Sequence, residues 1–152
     1  MNKEKIIVSS CLLGNKVRYN KESRLEKGIL KLKKKYTLIP MCPEVIGGLS
    51  IPRDPSEIVG TRVLSIKGLD VTKEYEKGAD YLVSYAKKHN IKACILKSKS
   101  PACGRDKVYD GTFTGRLING RGLAAKALID SGIKVYTEND YSILLEGEDK
   151  FE

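Results

Sequence analysis

"DVTKEYEKGADYLVSYAKKHNIKACILKSKSPACG", residues 70–104, changes its hydrophobic period partway along. Tyr75, Ala79, Leu82 and Ala86 recur at helical spacing, which predicts a helix over 70–90 with Thr72 as its N-cap and Asn90 at its end. The following "IKACILKS" (91–98) is a short apolar run that reads as a strand. A helix feeding straight into a buried strand is the repeating half of an α/β layer structure.

The same alternation extends in both directions. "EKIIVSS" (4–10), "YTLIP" (36–40, stopped by Pro40) and "IKVYT" (133–137) read as further strands. "KESRLEKGILKLKKK" (21–35) places Leu25, Ile29, Leu30 and Leu32 near helical period, and "GRGLAAKALIDSG" (120–132) reads as a helix closed by Gly132. "EIVGTRVLSIKG" (57–68) reads as a hairpin, and a short acidic tail ends the chain. The expectation is an α/β fold with one parallel sheet flanked by helices, as a single domain over residues 1–152. Such a sheet carries its site in loops at the carboxyl ends of its strands.

Composition narrows the function classes. No apolar run approaches the ~20 residues of a membrane span. The opening "MNKEKIIVSS" is too short in apolar residues for a signal-peptide core. A cytoplasmic protein with no membrane partner is therefore expected. The 28 basic and 19 acidic residues leave a net charge of +9, which favours anionic partners such as nucleotides or RNA. Much of that excess lies in "LKLKKK" (30–35), where cations suit the end of a helix.

The chain has four cysteines, Cys11, Cys42, Cys94 and Cys103, and no C-x-x-C pair. In a cytosolic chain such cysteines point to metal binding or catalysis rather than disulfides. Cys94 lies inside the third strand and reads as a core thiol. The other three follow the first, second and third strands, so all can reach one sheet edge. Each also has a turn-former nearby: Gly14, Pro43, then Pro101 with Gly104.

Soft sulfur ligands favour zinc, Cu(I) or iron–sulfur clusters. A closed zinc site needs a fourth protein ligand. The one histidine, His89, ends a helix near the opposite sheet edge. Two choices remain open on this reading: a 4Fe–4S cluster with one bare iron, or a catalytic zinc. Glu44, two residues after Cys42, could move protons or activate water beside such a centre. Ser98 and Ser100 flank the third thiol and could donate to a substrate. Lys97 is a candidate substrate contact on the same loop. "NGRG" (119–122) offers helix N-terminal amides with Arg121 as a candidate anion contact.

Four segments, "VSSCLLGNKVRYN" (8–20), "IPMCPEVIGGLSIPRDPSEI" (39–58), "LKSKSPACG" (96–104) and "YDGTFTGRL" (109–117), resemble the thiouracil desulfidases (TudS-like proteins) in order and position. The similarity runs from about residue 5 to residue 138. It implies a Rossmann-like domain whose Cys11, Cys42 and Cys103 hold a 4Fe–4S cluster with one open iron. It also implies a catalytic role for Glu44 and an active-site role for Ser100. The resemblance further implies removal of sulfur from a thiolated pyrimidine, giving the oxo compound and sulfide, and the step expected here needs no net electron transfer. Two departures stand out. Ala102 replaces a frequent serine, and "GRGLAAK" (120–126) replaces "GDGVTAA" near the helix N-terminus.

Two rivals differ in class. "CPE" and "PAC" faintly echo the zinc deaminase pattern, which would make this a zinc-dependent hydrolase. The basic charge permits a cluster-bearing RNA-binding or sensor module, although no aromatic-rich nucleic-acid signature accompanies it. For the desulfidase reading, the charge favours phosphorylated 4-thiouridine species such as 4-thiouridine monophosphate over a neutral base, with thiouridine and thiouracil as the other candidates. A small molecule is expected ahead of tRNA.

Overall fold

The computed structural model describes residues 3–15 and 26–146. In chain order the strands are β1 (Glu4–Ser9), β2 (Tyr36–Met41), β3 (Ser56–Val59), β4 (Arg62–Ser65), β5 (Ala93–Ile95), β6 (Lys107–Tyr109), β7 (Leu117–Asn119) and β8 (Lys134–Tyr136). The α-helices are α1 (Pro43–Ile46), α2 (Thr72–Lys88), α3 (Leu123–Asp130) and α4 (Ile143–Glu146). Two 3-10 segments cover Ser10–Leu13 and Lys27–Lys34.

The central sheet runs β2-β1-β5-β8, and every pairing in it is parallel. Parallel strands need both faces covered, because their crossovers lay helices on each side. The burial follows this rule. Ile7, Cys94 and Val135 pack with Leu82, Ala86, Ala125 and Leu128 of α2 and α3 on one face. Ile6, Val8 and Ile95 pack with Leu12, Ile29, Leu32 and Leu144 on the other. The chain turns from one side of β1 to the other between β2 and β5. That reversal opens a crevice beyond the carboxyl ends of β1 and β5.

The helix expected over 70–90 forms as α2, with the expected face of Tyr75, Ala79, Leu82 and Ala86 buried. Asn90 follows it in a left-handed conformation at φ 54°. Thr72 is not its N-cap. It is the first helical residue, and its hydroxyl accepts the Val63 N–H at 2.8 Å, tying α2 to β4. Asp70 does the capping work instead, accepting the Thr72 N–H at 2.9 Å. The hairpin expected over 57–68 forms as β3–β4.

Three further expectations are corrected. Pro40 does not stop the second strand, which continues through Met41. β2 is an edge strand, where a residue without an N–H can face away from the ladder. The helix expected over 21–35 is a 3-10 segment over Lys27–Lys34; of the positions that suggested it, Ile29 and Leu32 are buried and Leu30 is exposed. Its residues 21–25 and the tail beyond 146 lie outside the described residues. The strands expected over 91–98 and 133–137 are shorter than their apolar runs, because ladder pairing ends where the chain turns into the site loops. The antiparallel β6–β7 hairpin and the short α1 have no counterpart in the periodicity reading.

One packing contact bears directly on the site. α1 lies against α2 at backbone distance. A Cβ built on Gly78 would sit 2.8 Å from the carbonyl carbon of Pro43 and closer still to its oxygen. A Cβ on Gly47 would sit 2.8 Å from the carbonyl carbon of Glu74. Only glycine permits this approach, and it sets α1 beside Tyr75. Among the described residues, no helix is long and apolar enough to cross a membrane.

Candidate active site

Cys11 leaves β1 in the 3-10 turn Ser10–Leu13, which Gly14 closes in the left-handed region at φ 94°. Cys42 leaves β2 as the N-cap residue of α1, whose first helical residue is Pro43. Cys103 lies in the loop after β5. All three line one cavity of about 950 Å³ beyond the carboxyl ends of the sheet, together with Glu44, Lys97, Ser98 and Ser100. That volume is at the upper end for small-molecule sites, enough for an inorganic group and a pyrimidine together. Cys94 does not take part. It is fully buried between Ile7 and Val135 on neighbouring strands. Its thiol is pushed up to about 12 by burial. His89 lies far from the cavity at the start of β1, with Nδ1 3.3 Å from Lys5 Nζ.

The Cys103 loop is held by a dense set of local bonds. Ser100 Oγ accepts the Ala102 N–H at 3.0 Å and the Cys103 N–H at 2.7 Å. Its acceptor positions are thereby occupied, and its O–H remains a donor. Ser9 Oγ donates to Cys103 Sγ at 3.6 Å and accepts the Lys97 N–H at 3.0 Å. Burial pushes the Cys103 thiol well above its ordinary range; the Ser9 bond opposes this, and nearby Cys42, Glu44 and Cys11 add to it. The Cys42 thiol is also raised, first by burial, although the backbone N–H of Val45 pulls it back.

Cys42 and Cys103 are thus crowded, desolvated sulfurs that resist ionising by themselves. A cationic, thiophilic group would remove that penalty, so the donor set fits such a group. Among the described residues, no three His, Cys, Asp or Glu side chains close around one point as a single ion would require. Cys11, Cys42 and Cys103 would be the thiolates to hold a cluster, which does not require its sulfurs to meet at a single ion.

Glu44 projects from α1. Its Oε2 accepts from the Tyr75 hydroxyl at 2.7 Å and from Arg53 Nε at 3.3 Å. Lys97 and Ser98 line the cavity, yet both are engaged by Glu138, which follows β8. Glu138 Oε2 lies 2.7 Å from Lys97 Nζ and accepts the Ser98 hydroxyl at 2.7 Å. Glu138 Oε1 accepts the Ser98 N–H at 2.9 Å. Burial opposes the charge on Glu138, but the bonds from Lys97 and Ser98 outweigh it and hold the carboxyl below its ordinary range. Cations of the cavity wall are thus largely answered by carboxylates within it.

Arg121 is not part of this wall. It is exposed and lies outside the cavity lining. The anion site expected at the N-terminus of α3 is also filled. The N–H groups of Gly122, Leu123 and Ala124 donate to the carbonyls of Gly104, Pro101 and Ala102 at 2.7 to 2.9 Å. Those amides anchor the Cys103 loop and are spent on it. Ala102, in place of the family's frequent serine, is buried in the core.

Two residues of the site escape a reading of the chain. Tyr75 reads as one more core position of α2, and its hydroxyl signals nothing until α1 is placed against it. Glu138 lies 40 residues from its partner Ser98. Ser9 stands in the quoted "VSSC" segment, two residues before Cys11, but the thiol it bonds is that of Cys103, 94 residues away.

A solved structure of a 4Fe–4S-dependent thiouracil desulfidase, TudS, superposes with a TM-score of 0.88 at 38% identity, covering 94% of this chain and 96% of its own. An uncharacterized protein of Bacillus subtilis (strain 168), YbbK, is 39% identical over 150 residues, spanning 92% of this chain and 99% of its own. The 2-thiouracil desulfurase family matches residues 6–140. That span runs from the first strand of the sheet past the last and takes in every loop that lines the cavity, and the chain belongs to the 2-thiouracil desulfurase family.

Proposed function

We propose that the protein is a non-redox desulfidase that converts a thiolated pyrimidine to its oxo form and sulfide, with Cys11, Cys42 and Cys103 holding a 4Fe–4S cluster. The observation that carries this reading is the meeting of three buried or half-buried thiols with Glu44 in one cavity at the topological switch point of the sheet. When bound, the cluster supplies Lewis acidity and a thiophilic iron toward the C=S group.

The chain's own residues do the rest. Glu44 takes a proton from the water that attacks the ring carbon. The Ser100 hydroxyl, with its acceptor positions filled by two backbone N–H groups, donates toward the substrate and orients it. Water adds its oxygen to carbon, the C–S bond breaks, and the sulfur leaves as sulfide with the protons of that water. No electrons are gained or lost overall. Pairing of Lys97 with Glu138 keeps that wall neutral, so the ring is bound by shape and hydrogen bonds. Lys99, exposed at the rim of the same cavity, supports room for a phosphate on the monophosphate form.

The test is anaerobic purification with iron and sulfide analysis, followed by sulfide release from thiouracil, thiouridine and thiouridine monophosphate in parallel. Glu44→Ala is expected to retain iron and brown colour and to lose about 10²-fold or more in turnover. Full activity in colourless, iron-free protein would overturn the cluster assignment, and stoichiometric zinc would transfer the case to a zinc hydrolase.

A further inference from the structure

We propose that Tyr75 is a positioning residue for Glu44: with Arg53 it clamps Oε2 of the carboxylate and leaves Oε1 as the oxygen that meets water. This rests on the reading of Glu44 as the base.

Both donors converge on the same oxygen, Tyr75 Oη at 2.7 Å and Arg53 Nε at 3.3 Å. Among the described residues, none hydrogen-bonds Oε1. A carboxylate on a four-residue helix would otherwise turn freely about its terminal torsion, which is broad. Two donors fixed from different elements remove that freedom. Each donor side chain is itself buried. Tyr75 is 1% exposed within the core face of α2. The Arg53 side chain is 8% exposed, and its Nη1 donates to the Ser50 carbonyl at 3.0 Å.

The surrounding packing serves the same contact. Gly47 and Gly78 let α1 and α2 touch backbone to backbone, the approach that brings Glu44 within reach of a residue on α2. A phenylalanine would fill the same core volume as Tyr75. The hydroxyl adds a bond to a cavity carboxylate, at the end of a side chain that otherwise belongs to the core. Burial first, then the charge of Glu44, keeps the phenol protonated far above its ordinary range, so it stays a donor.

The experiment is a double-mutant cycle on the anaerobically purified holoenzyme with thiouracil as substrate. Tyr75→Phe is expected to lower kcat by about 10- to 100-fold, with KM changed less than about twofold. Iron and sulfide content should match wild type. In a Glu44→Gln background, adding Tyr75→Phe should change kcat by less than about twofold, because the group it positions is gone. Arg53→Gln, tested the same way, covers the case in which Tyr75→Phe is poorly folded. Its loss should likewise vanish in the Glu44→Gln background. An equal loss in both backgrounds would show a general structural role and overturn the proposal. An unchanged kcat for Tyr75→Phe would overturn it as well, leaving the base assignment intact. Full activity in Glu44→Gln alone would overturn the base assignment and the proposal with it.

Discussion

Replacing Gly78 with alanine sets two effects against each other. Gly78 lies in the interior of α2, where alanine is favoured over glycine by about 1 kcal/mol of helix propensity. Against this, the new Cβ would sit 2.8 Å from the Pro43 carbonyl carbon and nearer its oxygen, whereas ordinary contact begins at 3.4 Å. The obstacle is backbone, so no side chain can swing aside. α1 must retreat from α2 by about 1 Å, with an overpacking cost of about 1–3 kcal/mol. The balance is a net loss of up to about 2 kcal/mol, or several degrees in Tm for a chain of this size. The functional effect should exceed the stability effect. α1 carries Glu44, and Cys42 precedes it, so both move with it. A displacement of about 1 Å at reacting groups costs about 10²-fold in rate. Urea unfolding and anaerobic sulfide release from thiouracil measure the two effects separately. If Gly78→Ala were about 1 kcal/mol more stable than wild type with unchanged turnover, propensity alone would govern the site and the close-packing argument would be wrong.

Other substitutions separate the roles of the thiols and of the surface network. Cys94→Ala should keep its full iron content and cost about 1 kcal/mol from the small cavity it leaves, whereas Cys103→Ala should lose iron; iron analysis of both proteins decides, and iron loss in Cys94→Ala would contradict its place in the core. Asp70 is held down to about 2 from its ordinary 3.8, first by the Thr72 hydroxyl and then by Arg62. A depressed carboxyl contributes stability that is complete above about pH 4 and disappears as pH falls through about 2. The urea-midpoint gap between wild type and Asp70→Asn should therefore narrow across that window, and a gap constant with pH would refute the assignment.

Much of the sheet was legible because strand and helix periods are local. The buried face of α2 could be counted from Tyr75 to Ala86, and Cys94 could be assigned to the core from its apolar neighbours. Placing Cys11, Cys42 and Cys103 at one edge needed only the parallel order of the strands. Less local features misled. Thr72 has the chemistry of an N-cap, but a partner on β4 competes for its hydroxyl and wins. Arg121 and the amides of α3 resemble an anion site, but the carbonyls of the Cys103 loop reach those amides first. Pro40 would end a central strand, but it lies on an edge.

From residue order come the elements, their buried faces and the side of the sheet on which the thiols emerge, because each follows from torsional preference and apolar spacing over a few neighbouring residues. Which hydroxyl meets Glu44, which carboxylate neutralises Lys97, and whether helix amides stay open are settled by packing. Those contacts join positions tens of residues apart, and a hydrogen bond is decided by a few tenths of an ångström that no local pattern encodes.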